Sequence, residues 1–302
     1  MANSSPRCVV TPRDIELLMA LDRCPFTARQ LLKLSLTFDP PFTTERRVRE
    51  RLQHFTTVGW VRSWPYAMTG DGGSPRYWKL TREGFRLFHG SDTRLPNRRH
   101  FEEIGIGHHH HTMSLADFIV QTFVAAHRQR IEVRHFSREN SVRMEAGGSV
   151  LYPDCAFQLF TPGGRAFNFV VELDNGTERI RSPQDIESIV RKLRGYDLHQ
   201  SSTPSFDHGR FVVLFVTTRS VDRLTHILEA AARIIRNPKR TLFLGVTLSE
   251  FLNHDAPLTT PIFRSPFGWQ LSLIPSKSPT PSRNMGRVSR PSRMPTQVPV
   301  AA

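Results

Sequence analysis

The stretch 152–178, YPDCAFQLFTPGGRAFNFVVELDNGTE, places three carboxylates, Asp154, Glu172 and Asp174, among strongly apolar β-forming residues. Thr161-Pro162-Gly163-Gly164 is a turn signal, because proline sets one backbone angle and glycine admits positive φ. The flanking runs of Phe, Val, Leu and Cys predict two antiparallel strands. A loop centred on Gly163 pairs positions equidistant from it, so Asp154 faces Glu172. Alternation along each strand then gives Cys155, Phe157, Leu159, Phe167, Phe169 and Val171 one apolar face, and gives Asp154, Gln158, Asn168, Glu172 and Asp174 the other. Directly opposed Cβ atoms sit about 5 Å apart, and like charges that close repel unless neutralised. Two resolutions stay open. A divalent cation, Mg²⁺ or Mn²⁺, bridges carboxylate oxygens well; alternatively the acids face solvent or arginine.

The chain has 302 residues, room for two domains, and a net charge of +14. Such a field favours polyanions, nucleic acid ahead of an anionic membrane surface. The three cysteines, Cys8, Cys24 and Cys155, include no Cys-x-x-Cys pair, which argues for a reducing compartment and against a disulfide or zinc framework. The opening MANSSPRCVV has no apolar signal core, and FVVLFV (211–216) is too short to span a bilayer. A soluble, cytoplasmic protein is expected, with no membrane partner and no small-molecule substrate implied.

Residues 1–90 read as one domain. TPRDIELLMALDR carries a cap-like Thr11, a proline at the first helical position, and a stripe of Ile15, Leu18, Met19 and Asp22. TARQLLKL (27–34) is a second helix. TTERRVRERLQHFTTVGW is a third, with Val48, Leu52 and Phe55 inward and its arginines mostly outward. WVRSWPY and RYWKL form a hairpin around TGDGGSP, followed by a short helix, TREGFRLF. Three helices and a two-stranded wing is the order of a winged helix-turn-helix, whose third helix enters the major groove. Arg46, Arg47 and Arg51 are candidates for base or phosphate contact with double-stranded DNA, and Arg76 and Lys79 for phosphate contact. A solvated basic face, or a winged helix used for protein contacts, is the alternative.

Residues 91–107 read as a linker, His108 to His110 continue it, and His111 begins a helix with Leu115, Phe118, Ile119, Thr122 and Phe123 inward. A strand at about 131–137 precedes the acidic hairpin. A helix over about 183–198 follows, with Ser182 as N-cap, Pro183 at N1, and Ile186, Ile189, Val190 and Leu193 inward. RFVVLFVTT is a central strand covered on both faces. A helix (SVDRLTHILEAAARIIRN) and a strand (TLFLGVTL) complete an α-β-β-β-α-β-α-β order over 108–255. Residues 256–302 form an extension and a Pro/Ser/Arg-rich tail whose basic residues are Lys277, Arg283, Arg287, Arg290 and Arg293; disorder with non-specific phosphate attraction is expected there.

These pieces resemble the PD-(D/E)xK nuclease-like superfamily, with its restriction-endonuclease-like α-β-β-β-α-β core. With the N-terminal winged helix they resemble the replication-relaxation family more closely still: the TPRD opening (Thr11 to Asp14), the Arg-rich third helix, LTREG (Leu80 to Gly84), a helix led by His111, Pro153-Asp154, and E-x-D-x-G-T-E from Glu172 to Glu178. The resemblance implies an α/β (α+β) architecture and a role in plasmid replication, DNA relaxation or mobilisation. It maps Asp154 to a metal-binding acid and Glu172 to the acid of E-x-K, and the lysine position is occupied by Asp174. Lys192, on the following helix, is a candidate replacement. The implied site is then Asp154, Glu172 and Lys192 as catalytic residues, with Asp154, Glu172, Asp174 and Glu139 as metal ligands for Mg²⁺ or Mn²⁺. The competing reading is a non-enzymatic transcriptional or partition regulator, in which the nuclease-like domain serves a homodimer or partner contact.

Overall fold

The computed structural model describes residues 9–68, 73–178, 180, 188–203 and 209–275. The N-terminal unit runs α1 (Pro12–Arg23), β1 (Phe26–Thr27), α2 (Ala28–Leu34), α3 (Glu45–Thr57), β2 (Val61–Pro65), β3 (Arg76–Leu80) and α4 (Arg82–His89). Each α-helix of this unit starts on a threonine cap: Thr11, Thr27, Thr44 and Thr81. Such a side-chain oxygen satisfies a backbone N–H that the helix itself cannot. On α3, Val48, Leu52 and Phe55 are fully buried, as their spacing predicts. On α1 the buried face is Leu17, Leu18 and Leu21, while Ile15 is exposed. This corrects the expected stripe. The apolar run of α1 offers more than one face, and Asp14 lies on the buried one with Leu17, Leu18 and Leu21. Asp14 takes the Thr11 N–H in a capping box and a bidentate contact from Arg51 of α3, at 2.5 and 2.6 Å.

The second unit runs α5 (His109–Arg128), β4 (Glu132–Ser137), β5 (Met144–Ala146), β6 (Ser149–Leu151), β7 (Cys155–Phe160), β8 (Ala166–Asp174), α6 (Ile189–Ser202), β9 (Val212–Thr217), α7 (Val221–Ile234), β10 (Phe243–Thr247), α8 (Leu248–Leu252), β11 (Phe263–Arg264) and β12 (Gln270–Leu271). Its mixed sheet has the order β12-β11-β10-β9-β8-β7-β4. The β8–β9 and β9–β10 pairs are parallel, and the others are antiparallel. The chain is thus α+β, with the predicted element order plus a small β5–β6 hairpin. The sheet also continues past 255 through β11 and β12, where an extension was expected. Helix α6 starts at Ile189 on Ser188, whose hydroxyl accepts the Arg191 N–H. The expected Ser182 cap and Pro183 lie outside the described residues, as does the tail from 276.

The β7–β8 register is the predicted one, Cys155↔Val171 through Phe160↔Ala166. Cys155, Phe157, Leu159, Phe169 and Val171 are buried toward α5, and Gln158 and Asn168 hydrogen-bond across the other face at 2.9 Å. A second buried cluster, with Val170, Val213 and Phe215, lies under α6 and α7. The first cluster is continuous from α1–α3 through α5 to the sheet, so the two units share one core.

Residues 91–107 are correspondingly not a free linker. Lys79 of β3 is buried and donates to the Arg99 and Glu102 carbonyls at 2.8 and 2.6 Å, and Tyr77 Oη accepts the Ile104 N–H. The helix α5 begins at His109, two residues earlier than expected. His109 is buried: its Nδ1 accepts the Ala67 N–H at 2.7 Å, and its Nε2 faces the Ile104 carbonyl at 3.0 Å. These partners fix the neutral tautomer with the proton on Nε2.

Gly84 explains the glycine of LTREG. A Cβ there would stand 2.0 Å from the Trp60 carbonyl oxygen, so α4 sits against that backbone only without a side chain. Gly84→Ala is expected to lower unfolding stability by about 1–3 kcal/mol. Denaturant unfolding measures this, and an unchanged midpoint would contradict the packing.

Candidate functional site

Glu172 and Asp174 lie on the α6/α7 side of β8, near the carboxyl ends of the parallel strands, where open α/β sheets place their crevices. A pocket of about 70 Å³ opens there, lined by His111, Asp154, Glu172, Glu178 and Lys192 among others. Glu172 is 4 % exposed. A buried carboxylate is tolerated only with partners, and α6 supplies two, one turn apart. Tyr196 donates its hydroxyl to Glu172 Oε1 at 2.5 Å, and Lys192 Nζ donates to Oε2 at 2.9 Å. Lys192 also reaches Glu178 at 2.8 Å. Burial raises the Glu172 carboxyl above its usual range, against the pull of Lys192. For Lys192, burial works against the ammonium, but the Glu172 and Glu178 charges outweigh it and raise its pKa.

Asp154 precedes β7, and its two oxygens face different ways. Oδ2 accepts the Leu173 N–H at 2.6 Å, and Oδ1 lies 3.0 Å from His111 Nε2 in the first turn of α5. Burial alone would lower the His111 pKa; the hydrogen bond and charge of Asp154 reverse that and raise it. Glu139, after β4, completes the group: one donor atom from each of His111, Glu139 and Asp154 lies within 4.8 Å of the others. Three donors from separated segments, two of them carboxylates, fit a divalent cation.

The structure therefore brings Asp154, Glu172 and Lys192 into one pocket and sets Glu139 beside Asp154. It corrects Asp174. That carboxylate accepts two bonds from Arg223 of α7 at 2.6 Å, one from Thr217 at 2.8 Å and one from the Gly176 N–H at 3.1 Å, so its lone pairs are occupied away from Asp154. Glu172, expected as a metal ligand, is held by Tyr196 and Lys192 and is not among the clustered donors. Reading the sequence left His111 as the start of a helix and missed it as a donor; its one signal was its place at the head of that helix.

Of the expected DNA contacts, Arg46 and Arg47 have side chains 86 % and 71 % exposed and pair with Glu50. Arg76 is exposed and reaches back to Ser63 on the neighbouring strand. Arg51 and Lys79 are corrected: both are taken up by internal partners, Asp14 and the 99–102 carbonyls. Alternation along β3 does not reveal this, because a long lysine stem packs on apolar surface while its ammonium seeks carbonyls.

The replication-relaxation family model matches residues 22–214, more than half of the chain, including His111, Glu139, Asp154, Glu172, Glu178 and Lys192. The chain belongs to the replication-relaxation family. Membership points to a role in replication or relaxation. No curated protein and no solved structure matches the chain. Among the described residues, no helix is long and apolar enough to cross a membrane.

The E-x-D run from Glu172 to Asp174 thus carries a structural acid at Asp174. Burial would raise this carboxyl, but the Arg223 and Thr217 bonds hold it below the ordinary 3.8. A depressed folded pKa contributes stability that is present above pH 3.8 and is lost as pH falls through the folded value. Arg223→Met is expected to destabilise the fold at neutral pH and to flatten the acid limb below pH 3.8, measured by thermal unfolding across pH. An unaltered acid limb would show that the pair does not carry this linkage.

Proposed function

We propose that this replication-relaxation protein binds double-stranded DNA through its N-terminal unit and cleaves phosphodiesters at the Asp154–Glu172–Lys192 pocket, in plasmid or mobile-element replication, relaxation or mobilisation. One observation carries the reading. In a chain of net charge +14, the carboxylates Glu139, Asp154, Glu172 and Glu178 gather around Lys192 and His111. Such a pocket repels a phosphate unless a cation joins it.

Asp154 and Glu139 are the carboxylates that would hold that cation. A bound Mg²⁺ or Mn²⁺ supplies a Lewis acid for a phosphate oxygen and an acidic water. The chain's own groups divide the remaining work. Lys192, kept protonated, offers its ammonium to charge developing on the phosphate. Glu172, its carboxyl raised by burial, is the group we assign as proton acceptor for the attacking water. Tyr196 is fully buried, so it positions Glu172 and does not attack.

The order of three helices and a hairpin supports a winged helix-turn-helix docking unit, with α3 toward the major groove. The exposed ion pairs of Arg46 and Arg47 along α3 are weak and can be exchanged for phosphates.

Supercoiled plasmid incubated with Mn²⁺, Mg²⁺ or EDTA tests the chemistry. Nicking is expected with metal and should fall about 100-fold or more in Asp154→Asn, Glu172→Gln and Lys192→Met. A mobility shift without nicking in any metal would end the enzymatic reading and favour a DNA-binding regulator. For docking, Arg46→Ala and Arg47→Ala should each reduce the slope of log affinity against log salt by about one. Lys79→Met should leave that slope unchanged, and an equal loss in all three would refute the assignment of Lys79 to the interior.

A further inference from the structure

We infer that His111, Glu139 and Asp154 form a mixed nitrogen–oxygen site that selects a transition-metal dication of the Mn²⁺ class over Mg²⁺, with Glu172 outside the coordination set. The inference deepens the cleavage reading by naming the cation, and its test does not use cleavage.

The donors come from three places far apart in sequence: the first turn of α5, the segment after β4 and the residue before β7. They are therefore not a charge run that happens to share a surface. Donors about 2.1 Å from one ion lie at most about 4.2 Å apart. The present 4.8 Å spread needs only a small closure. Asp154 is already aimed, since the Leu173 N–H holds Oδ2 and leaves Oδ1 on the His111 side. The backbone that carries His111 is fixed as well, because His109, two residues earlier, is pinned between Ala67 and Ile104.

Ligand chemistry then decides the class of ion. Mg²⁺ is hard, prefers oxygen and sheds water reluctantly, so an imidazole contributes little to holding it. Mn²⁺ and the later divalent ions accept imidazole nitrogen beside carboxylates, with affinity rising along the series. Glu172 gives one lone pair of each oxygen to Tyr196 and Lys192 and does not join the clustered donors, which leaves it outside the set. Two carboxylates offset the charge of the dication, and the histidine supplies the discrimination.

The test is Mn²⁺ binding to the full chain, followed by electron paramagnetic resonance of the free ion, with Mg²⁺ as competitor. One saturable Mn²⁺ site is expected, displaced only by large Mg²⁺ excess. His111→Ala and Glu139→Gln should each weaken it about tenfold or more, while Glu172→Gln should change it little. Paramagnetic broadening of the His111 ring signals in the unaltered chain checks the same point without depending on any variant's folding. Three results would overturn the inference: no saturable Mn²⁺ binding, which leaves a simple imidazolium–dicarboxylate cluster; equal affinity for Mg²⁺; or loss in Glu172→Gln with none in His111→Ala. Saturable Mn²⁺ binding without DNA nicking would sink the cleavage reading and leave this one standing.

Discussion

A carboxylate buried at the end of a strand costs several kcal/mol unless it is paired. Glu172 is such a group, and its neighbourhood is arranged around that cost. Tyr196 and Lys192 stand one turn apart on α6, and both can reach Glu172 only if that face of the helix turns toward β8. The same rotation buries Ile189 and Leu193 against the sheet. Satisfying the acid, packing α6 and delivering Lys192 to the pocket are thus one event. Asp154, across the hairpin, is left to the other side of the pocket, where His111 and Glu139 meet it.

The N-terminal unit is joined to this pocket through structure rather than tethered to it. Gln30 of α2 donates to Met113 and Asp117 of α5, and Arg138, next to Glu139, contacts Asp22 of α1 at 2.6 Å. His109 links the chain after β2 to the turn that carries His111. With a continuous core beneath these contacts, the exposed arginines of α3 and the acidic pocket sit at a set separation.

The histidine run, His108 to His111, finds a plain account in helix geometry. Consecutive helical residues point about 100° apart and do not converge on one ion. His109 instead faces the hairpin, while His111 faces Asp154. Two neighbours of one chemical type thereby do different things, one fastening the units together and the other entering the pocket.

What the sequence determined by itself is local and periodic. The turn at 161–164 and the alternation on either side fixed the hairpin register, and with it which of Asp154, Glu172 and the phenylalanines share a face. The cap-like Thr11 and apolar spacing placed the helices of the N-terminal unit, and the element order marked the sheet as mixed. Tertiary structure decided the pairing of charges. That Asp174 belongs to Arg223, Arg51 to Asp14 and Lys79 to the carbonyls at 99 and 102 depends on elements distant in sequence. Periodicity says which side of a strand or helix a residue occupies. It does not say where a long flexible cation will end, because that is set by which unsatisfied oxygens the folded chain brings within reach.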